Sequence, residues 1–486
     1  MPYLKVALRG PRNRYQWNRA STLVVQYRTM ISASLALAVA LAAISFLAGD
    51  WMWFCINILS VALLALPRWK KLGYYYNGKV VALTMVSPAL MVVLFVISFL
   101  LPIRDVYVLE VSVYTYIAAM IQTVQSYVAG IMFALILNRS GVVHMTTSWV
   151  AIFAMVFAMA VSALDLLFTF GDMYSKGYPV FNKDFVEGDA ILTNRIMMSS
   201  PVAATFVSLA LTIAIYIKDG GRDASEYIVE GENAKPQAVD FTRDIGETEE
   251  PRRFWADLMN LISVIVAIAL VCGALTSEEG HVSITTIFCC IVCLVSPTLG
   301  YLRLVRIPPA LTMLIFLAAG LHSYGLLAEI YGFTGSYDVL THTLSSMTIG
   351  ICVFYTLMCF QVYSKGMLGF TGNGLALFTA VITLAFSTYW EVIEFFSDLI
   401  TGAHAQYSPY DTLTDLVCDI CGMMIASFAV KMALRGHTVP ELVASFRLDD
   451  RLKRRLAKKD EPAERSPLPH PRFILTCAFV RSLLSF

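Results

Sequence analysis

Between His322 and Gly422 the chain carries most of the acids and histidines that lie in or beside its apolar runs. Asp338 and His342 are four apart, Glu391 and Glu394 are three apart with Asp398 four further on, and Asp411, Asp415 and Asp419 recur every four residues. On a helix such spacings align each set into one polar stripe. A carboxylate at the centre of a membrane-spanning helix costs about 2.5–3.5 kcal/mol on insertion scales, so these acids are expected to face one another, water, a cation or protons. Acids so close cannot all ionise without repulsion. Lys431 and Arg435 lie at the far end of the last apolar run, too distant to compensate, which leaves a metal, shared protons or a substrate cation as the source of positive charge.

Three chemistries fit this set. In the first, His342, Glu391, Glu394 and Asp415 ligate a divalent metal of the Zn²⁺, Mn²⁺ or Fe type, with Asp338 or Asp419 as a partner of a ligand or as the catalytic general base. In the second, the same acids carry protons or a coupling cation in a secondary transporter, with His322, Asp398 and Asp411 on the substrate or proton path. In the third, the acids line a solvated vestibule and join helices by hydrogen bonds. No His-Glu-x-x-His motif is present, and Gly369, Gly372 and Gly374 follow no strand, so neither a metalloprotease nor a nucleotide-binding loop is expected. The cysteines sit almost wholly in apolar runs and read as core residues.

The elements that must position these side chains are apolar helices. With 57% hydrophobic and 15% charged residues, and repeated apolar runs of spanning length, the chain reads as an all-α polytopic membrane protein rather than a soluble enzyme. About twelve spans are expected, near 29–49, 51–67, 80–101, 112–137, 145–170, 196–217, 254–276, 282–303, 306–331, 339–362, 371–400 and 413–435. Lys5, Arg9, Arg12, Arg14, Arg19 and Arg28 precede the first run with no acid among them, and Arg68, Arg139, Arg303, Arg306 and Lys365 fall on the same side. This bias places both termini in the cytoplasm and the polar stripes toward the outer face. No small-residue cleavage site follows the first basic cluster, so the first helix is expected to be retained.

The composition divides the chain into a basic cytoplasmic N-terminus (1–28), a first six-helix repeat (29–217), a charged Gly- and Pro-containing linker (218–253), a second six-helix repeat (254–435) and a basic tail (436–486). Sliding the second half back by 226 positions lays Glu391 on Asp165 and Asp398 on Asp172. An even number of spans in each half makes the two repeats parallel. His342 and Asp338 fall opposite Tyr116 and Ser112, so the second repeat is expected to carry the site while the first braces it. The tail cluster Arg451-Leu452-Lys453-Arg454-Arg455 is expected to bind anionic lipid, and Phe473 to Phe486 is too short to span. Membrane lipids are thus the expected partners and nucleic acid is not.

The series His322-Ser323-Tyr324-Gly325, Tyr337-Asp338 with His342, Glu391 with Glu394, and Asp411 with Asp415 and Asp419 before Gly422 resembles the YjdF-like bacterial inner-membrane proteins and, more distantly, the VanZ-like proteins. The resemblance covers residues 254–435 as one six-span unit, here apparently in tandem with a degenerate copy. It implies a multi-pass protein of the bacterial cytoplasmic membrane, related to the cell envelope through the association of VanZ-like members with glycopeptide resistance. Read together, these features lead to an envelope-related protein whose His/carboxylate site, metal-dependent in the leading reading, acts on a lipid-linked or phosphorylated substrate.

Overall fold

The computed structural model describes residues 32–69, 74–76, 78–181, 189–219, 228–230, 253–333, 335–363, 368–402, 406 and 408–449. The basic N-terminal cluster, most of the 218–253 linker, the 451–459 basic cluster and the segment 473–486 lie outside the described residues.

The chain is all-α. In order, the helices are α1 (Ser32–Leu47), α2 (Trp51–Trp69), α3 (Gly78–Leu100), α4 (Val113–Arg139), α5 (Thr147–Ser175), α6 (Asp189–Asp219), α7 (Arg253–Thr276), α8 (Gly280–Tyr301), α9 (Pro309–Leu327), α10 (Ile330–Phe333), α11 (Gly335–Tyr363), α12 (Gly372–Thr401), α13 (Pro409–Gly436) and α14 (Val439–Ala444). Among the described residues ten helices are long and apolar enough to cross a membrane, and α1 and α2 supply two shorter apolar helices. A helix therefore stands at each of the expected spans. Several are longer than their apolar runs, since polar first turns such as that of α11 join the helix.

Local chemistry sets several of these ends. Ser112 caps α4 by accepting from the Tyr114 amide at 3.3 Å. Pro309 opens α9, where its missing N–H would have no helical partner. Thr438 and Glu441 form a reciprocal capping box at the start of α14.

The described residues within 1–239 and 380–420 form one compact unit, and those within 240–379 and 421–486 a second. In the first, α4, α5 and α6 pack on one another, with α2 and α3 against α4. Of the most apolar window of α4, 83% is buried, so this helix is the axis of the unit. Ala163 and Leu166 of α5, Met197 and Met198 of α6, Val392 and Phe395 of α12 and Leu416 of α13 form its main apolar cluster. In the second unit, α7, α8 and α9 pack together, α11 lies on α9, and α14 lies on α11. Strand β1 (Val305–Arg306) pairs antiparallel with β2 (Arg447–Leu448). Tyr355 stacks on Phe446 with ring centroids 4.3 Å apart, fixing the chain after α13 to the base of α11. Only 22% of the corresponding window of α7 is buried, which suits a helix turned toward lipid.

Candidate functional site

The first two turns of α11 carry Asp338 and His342. At i and i+4 they share a face, and His342 Nε2 lies 3.5 Å from Asp338 Oδ1. His342 is 9% exposed, whereas Asp338 is half-buried. What meets this face is set by Gly422 of α13. A Cβ on Gly422 would collide with the Thr343 carbonyl oxygen and stand 2.9 Å from both the Met347 nitrogen and Ser346 Cβ. The contact is backbone against backbone, so only glycine permits it.

Helix geometry then carries the contact to the acids. Asp415 is seven residues before Gly422, two turns away on nearly the same face of one continuous helix. Two turns before the Thr343–Ser346 contact, α11 presents Asp338 and, one turn later, His342. One ligand atom each of Asp338, His342 and Asp415 lies within 4.8 Å of the others. Asp415 and Asp419 are each 4% exposed. Asp419 follows Asp415 by one turn on the same helix, outside the three-residue group.

The entry to α11 is held by aromatic hydroxyls. Tyr331 on the short α10 brings its OH to 2.8 Å from His322 Nδ1 and donates to Thr341 Oγ1 at 3.1 Å. Tyr337 donates to the Leu321 carbonyl at 2.6 Å. The two tyrosine rings meet edge to face at 5.4 Å, and Gly325 of α9 leaves room for both, since a Cβ there would lie 2.6 Å from Tyr331 Cε2. Thus His322 and His342 are tied to one framework through Tyr331 and Thr341, the residue preceding His342. The sequence reading missed Tyr331; its spacing of nine residues from His322 gives no helical signal, because a turn at Glu329 with φ 55° separates α9 from α10.

The remaining expected site residues have other neighbours. Glu391, fully buried, accepts at Oε2 from Gln406 Nε2 at 3.0 Å, and the same amide donates to the Glu391 carbonyl at 3.1 Å. Asn194 Nδ2 donates to Gln406 Oε1 at 2.8 Å, and the Gln406 backbone N–H donates to Asp398 Oδ2 at 2.9 Å. Gln406 therefore joins α6 to Glu391 and Asp398 of α12. Glu394 accepts from the Trp390 indole N–H at 2.7 Å. The Asp411 amide in the first turn of α13 donates to Ser408 Oγ at 3.1 Å.

The ligand grouping thus differs from the expected set. Among the described residues it contains His342 and Asp415 with Asp338, and neither Glu391 nor Glu394 joins it. The reason is that a polar stripe is defined within one helix, while a ligand group needs stripes from two helices at a close crossing. Gln406 and Asn194, uncharged and outside any periodic acid pattern, carried no signal in the sequence.

Two carboxylates and one imidazole form a hard, mixed O/N donor set suited to Zn²⁺, Mn²⁺ or Fe²⁺. Three protein ligands would leave coordination positions for water or substrate.

Residues 258–436 match a family described as a predicted membrane protein, DUF2238. No curated protein and no solved structure matches the chain. The matched segment contains Asp338, His342, Asp415, Asp419 and Gly422, so the candidate site lies wholly within the part of the chain that this membrane-protein family represents.

Proposed function

We propose that Asp338, His342 and Asp415 hold a divalent metal, and that this centre acts on a lipid-linked or phosphorylated substrate at the extracytoplasmic face of a bacterial cytoplasmic membrane. The observation that carries the reading is the approach of three ionisable ligand atoms to within 4.8 Å in a largely buried place. Two carboxylates gathered there repel unless a cation or proton offsets them, and a metal answers that need while using the imidazole as well. Asp338 moves in this reading from general base to ligand. The metal, when bound, would supply activation of a water molecule, and Asp419, one turn from Asp415, would be the group able to take up a proton beside the centre. The Tyr331 hydroxyl, bonded to Thr341 beside His342, positions the imidazole-bearing turn.

The envelope setting rests on the resemblance of residues 254–435 to YjdF-like and VanZ-like proteins, and the orientation on the distribution of Lys and Arg. Both termini are cytoplasmic in this reading, and the basic tail engages anionic lipid. The tandem arrangement, with the second repeat carrying the centre, belongs to the same proposal.

Elemental analysis of the purified chain tests it. Near-stoichiometric metal in the wild type, lost in a His342→Ala, Asp415→Ala double variant of equal stability, is the expected result. Absence of metal from a folded wild type at physiological metal supply would remove the centre. A second reading, cation- or proton-coupled transport by the same acids, is favoured by the burial of two acids one turn apart on α13, Asp415 and Asp419. It separates from the first by solute movement that requires an ion gradient across liposomes.

A further inference from the structure

Unit 1 contains an acid that the metal centre does not use. Asp165 lies in α5 ten residues from the C-terminal end of that helix, roughly 15 Å along its axis. The last turn and a half of α5 is mostly polar and exposed, so Asp165 lies about 7.5 Å inside the apolar run that ends near residue 170. Only 9% of the residue is exposed. Its carboxyl is hydrogen-bonded by Ser200 of α6 and Gln122 of α4, and its charged neighbour is another acid, Asp50. The nearest basic residue in the sequence of α6, Arg195, is engaged with Glu110 at 2.7 Å. Among the described residues this acid is held by neutral groups and neighboured by a like charge, with no basic side chain among its partners.

Polar groups extend from Asp165 in both directions. Toward the end of α5, Asp172 lies two turns away on the same face, and Asp50 in the turn before α2 has both Asp165 and Asp172 as charged neighbours. Asp50 is fixed by accepting the Trp53 amide at 3.0 Å. In the other direction Gln125 follows Gln122 by three residues on α4. Its Nε2 donates to Asn57 Oδ1 at 2.7 Å, and Ser87 Oγ donates to its Oε1 at 3.4 Å. Buried polar side chains therefore continue from Asp165 through Gln122 to Gln125 and its partners Asn57 and Ser87.

We propose that unit 1 carries a proton path in which Asp165 is the group that takes up and releases the proton. Uptake from the Asp50/Asp172 side converts the carboxylate to the neutral acid by forming one O–H bond, and release toward the Gln125 side breaks it. Gln122 and Ser200 position the carboxyl in either state, because the amide and the hydroxyl can each donate or accept. What a carboxyl adds at this position over an amide is the ability to exchange a proton. The path uses residues absent from the metal centre and does not rest on it.

The test uses the full chain in phosphatidylethanolamine/phosphatidylglycerol liposomes loaded with a pH-sensitive dye, with a potassium gradient and valinomycin to drive protons inward. Wild type is expected to acidify the lumen, Asp165→Glu to retain flux, and Asp165→Asn to lower it by about tenfold or more while melting at the wild-type temperature. A wild type that moves no protons, or an Asp165→Asn variant that moves them at the wild-type rate, overturns the proposal.

Discussion

Two buried carboxylates in neighbouring helices of this protein meet opposite surroundings. Asp415 on α13 faces the Asp338–His342 pair of α11, whereas Glu391 on α12 is met by the Gln406 side-chain amide, which is itself bonded to Asn194. Both acids are almost fully removed from solvent. The Gln406 amide is a neutral partner that ties Glu391 to another helix by hydrogen bonds, so the Glu391 network reads as a joint between helices. Ionisable groups converging on ionisable groups leave a charge to be settled, and that is where a cation belongs. Burial of an acid alone therefore does not mark a binding site; the chemistry of what it faces does.

The sharpest way to break this comparison is to exchange metal-binding outcomes. Metal content is expected to fall from about one per chain to background in His342→Ala, Asp415→Ala, and to remain near one in Glu391→Gln, measured by elemental analysis on monodisperse protein. Loss of metal in Glu391→Gln at unchanged stability would mean that the amide-held acid belongs to the centre after all.

Gly422→Ala is the next largest effect. Its new methyl would press on the α11 backbone at Thr343 and Met347, at a cost of about 1–3 kcal/mol for overpacking. Because Asp415 rides on the same helix, metal affinity should fall with stability. A variant with wild-type melting and wild-type metal would show that the close crossing does not set the centre.

Gln406→Ala comes third. Removing its amide strips a donor from Glu391 and a partner from Asn194, at about 1–3 kcal/mol for buried groups left unsatisfied. Combining it with Glu391→Leu should recover part of that loss, since apolar replacement of both partners removes the unmet demand. Metal content should not change in either variant.

The smallest effect lies at the end of the membrane part. Glu441 accepts the Thr438 amide at 2.7 Å. That backbone hydrogen bond, more than its neighbours His437 and the Thr438 hydroxyl, holds its carboxyl below the ordinary carboxylate range. A carboxyl lowered in the folded state stabilises above its unfolded value, and the contribution is lost as pH falls through the folded one. Hydrogen exchange of the α14 amides should therefore quicken as pH drops below the carboxylate range, after correction for intrinsic rates. Glu441→Gln should show the faster exchange already at neutral pH.

Much of the fold was legible beforehand because the signal is local. An apolar run of spanning length can satisfy its backbone only as a helix in lipid, so composition and run length place the helices without reference to their neighbours. The location of the ionisable residues was legible for the same reason, as was the i, i+4 pairing of Asp338 with His342. Glu391 and Glu394 read as equivalent to them on spacing, yet one faces Gln406 and the other the Trp390 indole. Tyr331, Asn194 and Gln406 were invisible, because each acts across a loop or from another helix and leaves no periodic trace.

By itself, then, the sequence determined an all-α membrane chain, the positions of its helices and the stretch in which its histidines and acids concentrate. Only the tertiary structure decided which stripes meet. That decision rests on where two helix backbones can touch, here at Gly422 against Thr343, and on the rigid rise of each helix that carries the contact two turns along to Asp415 and Asp338. Hydrophobicity is a property of each residue, but a ligand group is a property of a crossing.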